Sequence, residues 1–242
     1  EGQENGEPLG KMVVKTLRGR GYKVSIFDFN NITKAFNDLH RSDVDLVFNL
    51  SEKISNSADL KPEAAAILES LQIPYTGSDS FVLSLCRDKI KVKKLLTYHN
   101  IPTPKWDYAY DLNDEIEEDL RFPLIVKPST GDNLMGISNQ SVVMNREELD
   151  RQLRRIILDY HRPVVVEEYI EGDEYEVSIL GSDDDDLRVL PLSRSIFKDL
   201  PGTYRHIYTQ AARAGSDEAY KHIVVQRPAK NIGKKLESLI TE

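Results

Sequence analysis

The sequence predicts an α/β protein: an N-terminal parallel sheet covered by helices, followed by a region organised around two buried strands. Three observations carry this expectation. Helical and strand periods alternate through the first 84 residues, the βαβ order that implies a parallel sheet. The run Phe122–Pro128 is apolar except for Lys127. A second apolar run, Val164–Glu168, ends in two adjacent acids.

The elements follow in order. Leu9, Met12, Val13 and Leu17 fall on one helical face, which Gly19-Arg20-Gly21 ends. Residues 23–29 place Val24, Ile26 and Asp28 at strand spacing, and Asp45–Leu50 is a short apolar run of the kind found in parallel sheets. From Pro62, the residues Ala64, Ile67, Leu68 and Leu71 repeat at helical spacing, and Ile73–Thr76 begins the next strand before the turn Thr76-Gly77-Ser78. A helix ending near His99 leads into Ile101-Pro102-Thr103-Pro104, a stiff connection because both prolines fix φ. The strand carrying Lys127 follows. Asn145 with Glu148 three positions later forms a capping box, and Leu149, Leu153, Ile156 and Ile157 give its helix one apolar face. Residues 164–166 form a strand. Residues 174–180 are expected to pair with 187–192 around Asp183–Asp186, a solvated hairpin turn lacking the alternating ligands and glycine of a calcium loop.

Bulk properties narrow the partners. A formal net charge of −8 argues against nucleic acid or an anionic membrane as the main partner. Any anion site must then be a local basic pocket. The lone cysteine, Cys86, allows no disulfide and no thiolate metal cluster, and its apolar helical setting predicts a buried, inert thiol. No apolar run approaches the roughly 20 residues of a membrane-spanning helix, and no secretory signal is evident, so a cytoplasmic location is expected. The chain starts at Glu1-Gly2 rather than Met, as a fragment would.

A lysine at the end of an apolar strand is costly to bury unless an anion meets it. The glycines of Ser129–Gly136 let backbone N–H groups approach a phosphate just beyond Lys127. Lys127 taken alone fits a snorkelling structural lysine equally well. Lys89 belongs to a basic helical face with Lys91, Lys93 and Lys94, which ordinary solvation would explain. Beyond Glu167-Glu168, a strand that stops being paired leaves backbone groups free to read the edge of an adenine. Glu174, six residues past Glu168, could accept hydrogen bonds from two vicinal ribose hydroxyls.

The order of these parts, Asp88-Lys89, Val126-Lys127-Pro128, a glycine loop and Val166-Glu167-Glu168-Tyr169-Ile170-Glu171-Gly172-Asp173-Glu174, resembles the ATP-grasp superfamily. Within it the chain is most similar to the D-alanine–D-alanine ligases. Further matching segments are Val44–Asn49, Leu71–Ser78, Ile101–Pro104, Val165–Gly181 and Pro228-Ala229, covering the chain from about Leu9 to Ala229. The resemblance implies a pre-ATP-grasp α/β domain over 1–84, an ATP-grasp central lobe over 85–166 and an incomplete C-terminal lobe over 167–242. It implies ATP and Mg²⁺ as cofactors, with Lys89 and Lys127 on the phosphates. Glu167 would meet the adenine amine, the backbone of Glu168 and Ile170 would read the ring edge, and Glu174 would hold the ribose. Residues 207–214 resemble the family loop that ends in a phosphate-binding lysine, so Arg213 would take that role, with a planar fork in place of a point charge. An acid near the first helix orients the amino-acid substrate in the family, a place for Glu4 or Glu7.

The implied function is ATP-dependent ligation of a carboxylate to an amine through an acylphosphate, with an amino acid or short peptide as substrate and a homodimer as the assembly. Departures from the family are also legible. Asn133 and Leu134 replace a serine-containing stretch, Ser51–Ser57 replaces acidic and His-Gly elements, and no glycine-rich strand precedes the first helix. The Arg-Val-Asp and Glu-x-Asn motifs that hold Mg²⁺ would lie beyond Glu242, so the chain alone is expected to be catalytically crippled. The competing expectations are a degenerate ATP-grasp protein that binds nucleotide without turnover, and an α/β domain whose lysines are purely structural.

Overall fold

A computed structural model describes residues 9–241 except 53, 56, 58, 59, 132, 133, 183–185, 203 and 214–221. The first five helices are α1 (Leu9–Gly19), α2 (Ile32–His40), α3 (Lys61–Ser70), α4 (Ser80–Cys86) and α5 (Lys89–Tyr98). Their starts follow local chemistry. The side chains of Asn31, Asp79 and Asp88 accept backbone N–H bonds at the first turns of α2, α4 and α5.

The expected N-terminal parallel sheet is reduced, among the described residues, to one parallel bridge between Val47 and Tyr75. Residues 22–28 form no strand. Their alternating pattern marks a chain with one apolar face but does not supply the neighbour a ladder needs. Ile26 and Phe48 are exposed, and a cavity of about 1810 Å³ is lined by α1 and by residues 22–30 and 42–52. Phe29, Ala35, Leu39, Ile54, Ala64 and Leu68 pack together as a small N-terminal core, of which Phe29, Leu39 and Leu68 also border the cavity. Cys86 is exposed, contrary to the buried thiol expected from its apolar neighbours, because α4 leaves Phe81 and Val82 in solvent as well.

The centre of the molecule is a four-stranded antiparallel sheet in the order β1-β4-β2-β3, formed by β1 (Trp106–Ala109), β2 (Leu124–Pro128), β3 (Val142–Val143) and β4 (Val164–Glu168). Both runs singled out in the sequence pair here, Val126 opposite Val166 and Lys127 opposite Val165. The pleat sends Leu124, Val126, Val164 and Val166 to one face, where they meet Leu149, Leu153 and Ile156 of α6 (Arg146–Arg154) and the π-helical turn Arg155–Asp159. Asn145 caps α6 as expected: its side chain accepts the Glu148 N–H at 3.0 Å, while the Glu148 carboxylate turns back to the Met144 N–H at 2.8 Å.

The rest of the chain adds a two-stranded hairpin, β6 (Ile179–Leu180) with β7 (Arg188–Val189), and a three-stranded sheet. The latter contains β5 (Glu174–Glu176), β8 (Ser193–Phe197) and β9 (Ile223–Gln226) in the order β5-β8-β9. The pairing expected between residues 174–180 and 187–192 therefore forms in its inner part, whereas Glu174 pairs further on, with Ser195. Residues 183–185 at the tip lie outside the described residues. Two helices complete the order, α7 (Gln210–Arg213) and α8 (Lys234–Thr241).

Leu149 is 1% exposed under the central sheet. Leu149→Ala should lower the unfolding free energy by about 2–5 kcal/mol, read by urea titration. A loss below about 1 kcal/mol would mean that this face is not a packed core.

Candidate functional site

The second face of the central sheet carries the charge. Side chains alternate, so Ile125 and Lys127 of β2 and Val165 and Glu167 of β4 share it, with Trp106 of β1 opposite Glu167. Glu167 is 5% exposed, and its carboxylate is divided between two ammonium groups. Oε1 pairs with Lys127 Nζ, and Oε2 with Lys93 Nζ at 2.5 Å. Burial would raise the Glu167 pKa, but the charges and hydrogen bonds of Lys127 and Lys93 outweigh it and hold the carboxyl below its ordinary value.

Lys93 was counted in the sequence with a solvated basic face. It is buried instead, and it also donates to Thr103 Oγ1 at 2.5 Å. The other lysines of that face follow the expected reading more closely: Lys91 is exposed beside Asp88, and Lys94 lies over the Tyr108 ring at the surface. Ile90 and Lys93, three residues apart, are the buried residues of α5, but Lys94 also stands at helical spacing from Ile90, so the sequence does not single Lys93 out. The stiff Pro102-Thr103-Pro104 connection delivers the hydroxyl.

Lys89 reaches the same region through the backbone. Its N–H donates to Ser129 O at 2.8 Å, and Asp88 bridges Thr130, so the start of α5 is pinned to the end of β2 just past Lys127. The Ser129 hydroxyl is buried and has no hydrogen-bond partner among the described residues. Gly136 closes the loop that follows, with φ of +75° and room for no Cβ, which would lie 2.9 Å from the Pro128 ring. Asn133 lies outside the described residues.

Beyond β4 the chain turns into a hinge. The Glu168 N–H donates to Lys105 O at 2.9 Å, and its carboxylate accepts the Arg121 N–H at 3.0 Å. Tyr169 is clamped at both ends, its N–H on Pro123 O and its hydroxyl accepting the His206 N–H at 3.0 Å. Ile170 is 70% exposed, and its backbone makes no hydrogen bond among the described residues. Glu174 begins β5, and its carboxylate accepts the Tyr208 N–H at 3.3 Å. Crowding around that carboxyl raises its pKa although part of the residue faces solvent; the Tyr208 bond and the charge of Lys127 oppose the rise. Lys127 thus acts electrostatically on both Glu167 and Glu174.

The structure therefore brings Lys127 and Glu167 into direct contact, Glu174 within reach of the Lys127 charge, and Lys89 to the adjoining strand end. Glu168 is committed through its N–H and carboxylate, whereas its carbonyl, like the Ile170 backbone, accepts no hydrogen bond outside the strand ladders among the described residues. Arg213 ends α7, but its side chain lies outside the described residues, as do Glu4 and Glu7. No group of three or more His, Cys, Asp or Glu side chains among the described residues could hold a metal ion.

These features define a mixed α/β fold with antiparallel sheets and a cationic strand end beside exposed backbone groups. The family model described as "D-ala D-ala ligase C-terminus" matches residues 94–239. D-alanine–D-alanine ligase A of Bacillus cereus is 43% identical over 117 residues, 47% of this chain and 37% of that protein. The D-alanine–D-alanine ligase of Carboxydothermus hydrogenoformans is 29% identical over 236 residues, 93% of this chain and 69% of the relative. The crystal structure of the Bacillus anthracis D-alanine–D-alanine ligase complexed with ATP shares the fold, with a TM-score of 0.63 at 24% identity over 95% of this chain and 67% of that one. The chain belongs to the D-alanine–D-alanine ligase family of the ATP-grasp superfamily. It spans only part of the length of these curated relatives, 37% of one and 69% of the other.

Two outcomes test this geometry. Glu167→Gln should cost about 3–5 kcal/mol at pH 7, because a buried ion pair broken on one side leaves charge uncompensated. The lowered carboxyl pKa stabilises the fold fully above the unfolded value near 4.5 and is lost as pH falls through the folded value. The unmodified chain should therefore lose stability below about pH 4.5, and Glu167→Gln should show a shallower acid limb in urea titrations. Separately, Gly136→Ala should destabilise by more than about 1 kcal/mol, because the left-handed backbone and the Pro128 contact both reject a Cβ.

Proposed function

We propose that this chain supplies the nucleotide-binding portion of an ATP-dependent carboxylate–amine ligase that joins amino acids as its relatives do. One observation carries the reading: a buried carboxylate and two lysines sit at the end of a strand, next to a hinge residue with open backbone groups. The three side chains sum to one positive charge, in a protein whose net charge is −8. Such a local cation within an acidic surface favours a polyphosphate over other ligands.

In this reading the backbone of Glu168 and Ile170 meets the adenine edge and Glu174 receives the ribose hydroxyls. Lys127 and Lys89 neutralise the phosphates, with Arg213 as a further cation. A substrate carboxylate then attacks the γ-phosphorus, giving an acylphosphate and ADP. An amine attacks the acyl carbon, forming the amide and releasing phosphate. The chain's contribution is alignment and charge neutralisation rather than covalent catalysis. Mg²⁺ would supply further neutralisation of the phosphate charge in such a reaction. The described residues do not form a site for it, so no residue is assigned to the ion. Relatives named for D-alanine make a D-amino acid the leading substrate, with Glu4 or Glu7 as its orienting acid. A homodimer in the cytoplasm is the setting proposed for the complete enzyme.

Calorimetric titration with ATP tests the reading. The unmodified chain should bind, and Lys127→Ala should bind about 10- to 100-fold more weakly, the worth of one charge-assisted hydrogen bond. Equal affinities would remove Lys127 from the site and the reading with it.

A further inference from the structure

The two lysines on Glu167 are not equivalent. Lys93 is the inner one: its side chain is 10% exposed, it projects from the buried face of α5, and Thr103 holds it a second time. Lys127 is the outer one, its side chain 21% exposed at the end of β2, where its charge also reaches Glu174. An anion entering beside the hinge meets Lys127 first. For Lys127 to turn towards that anion it must loosen its hold on Glu167. A carboxylate that is 5% exposed cannot be left there without a partner charge.

We propose that Lys93 is a positioning residue, the permanent counter-ion of Glu167, which frees Lys127 to engage the phosphates of a nucleotide. The inference deepens the nucleotide reading above and rests on it. With Lys93 in place, Glu167 stays neutralised whether Lys127 is bound to it or to phosphate, and the cluster keeps its surplus positive charge. Without Lys93, the remaining Lys127–Glu167 pair has no net charge, and Glu167 holds Lys127 back as its only counter-ion. Lys93 itself needs no contact with the ligand, and its bonds to Glu167 and Thr103 leave it facing inward.

The sequence alone gives no reason to separate Lys93 from Lys127 in this way. The asymmetry exists only because α5 lies against the sheet face that carries Glu167, which makes one ammonium part of the interior and leaves the other at the cleft. A purely structural Lys93 would make the same contacts, so the two roles must be separated by suppression. If Lys93 matters only because Glu167 is charged, removing that charge removes the need for Lys93.

Four proteins titrated calorimetrically with ATP decide the matter, with circular dichroism reporting folding: the unmodified chain, Lys93→Met, Glu167→Gln, and the double variant Lys93→Met/Glu167→Gln. Lys93→Met should bind ATP at least about tenfold more weakly than the unmodified chain, whereas the double variant should bind within about threefold of Glu167→Gln. If Lys93→Met does not fold, a folded double variant that binds ATP supports the same conclusion, because neutralising Glu167 has then replaced Lys93. Unchanged affinity in Lys93→Met overturns the inference and leaves the nucleotide reading intact. A double variant that binds more weakly than Glu167→Gln beyond that margin, or stays unfolded where Glu167→Gln folds, overturns it too, since Lys93 would then serve something other than the charge of Glu167. An unmodified chain that binds no ATP removes both.

Discussion

One buried carboxylate organises this molecule. Glu167 is the penultimate residue of β4, a strand buried from Val164 through Glu167, and its charge goes across the sheet to Lys127 and up to α5 through Lys93. Taking three charges out of water is unfavourable unless they compensate one another closely. That requirement ties together elements far apart in the chain: α5, the proline connection bearing Thr103, β2 and β4. The same requirement leaves a single surplus cation at the strand end, beside the hinge. Structure and proposed chemistry thus meet in one electrostatic constraint.

The opposite face of the sheet explains why the charged face can be tolerated. Leu124, Val126, Val164 and Val166 pack against α6 and the π-helical turn as an uninterrupted apolar layer, and burial of that kind is what stabilises a domain. Backbone bonds then hold the surroundings in register. Lys89 N–H on Ser129 O locks α5 to β2, and the two-way contact between Tyr169 and residue 206 locks the hinge to the segment that leads to α7. The N-terminal segment is different in kind. It has a small core around Leu39 and Leu68, while Ile26, Leu46 and Phe48 remain in solvent around a large cavity.

Much of this was legible beforehand where the signal is local. The capping residues Asp88 and Asn145, the helical face of Leu149, Leu153 and Ile156, and the two apolar strands are all written in short-range periodicity. The order of lysine, glycine loop and paired acids was enough to place the chain among ATP-grasp ligases. Less legible were the features that depend on what lies across the gap. Residues 22–28 alternate like a strand yet join no sheet, and Cys86 sits among apolar residues yet is exposed. Alternation and apolar spacing report which side of a segment avoids water; they do not report whether a partner is there to cover it.

The sequence by itself determined the strand that presents Lys127 and the helix that carries Lys89, and its resemblance to the ATP-grasp ligases gave the class of protein. The strand and the helix are set by short-range chemistry, the pleat of a strand, the turn of a helix and the reach of a cap, which each segment carries with it. Only the tertiary structure decided that Glu167 is a buried counter-ion shared by two lysines, and that Lys93 rather than Lys91 or Lys94 is the inner one. The physical reason is that a charge has no fixed meaning in one dimension. Whether a lysine is solvated, structural or poised for a ligand depends on the dielectric and the charges around it, and folding brings those from distant parts of the chain.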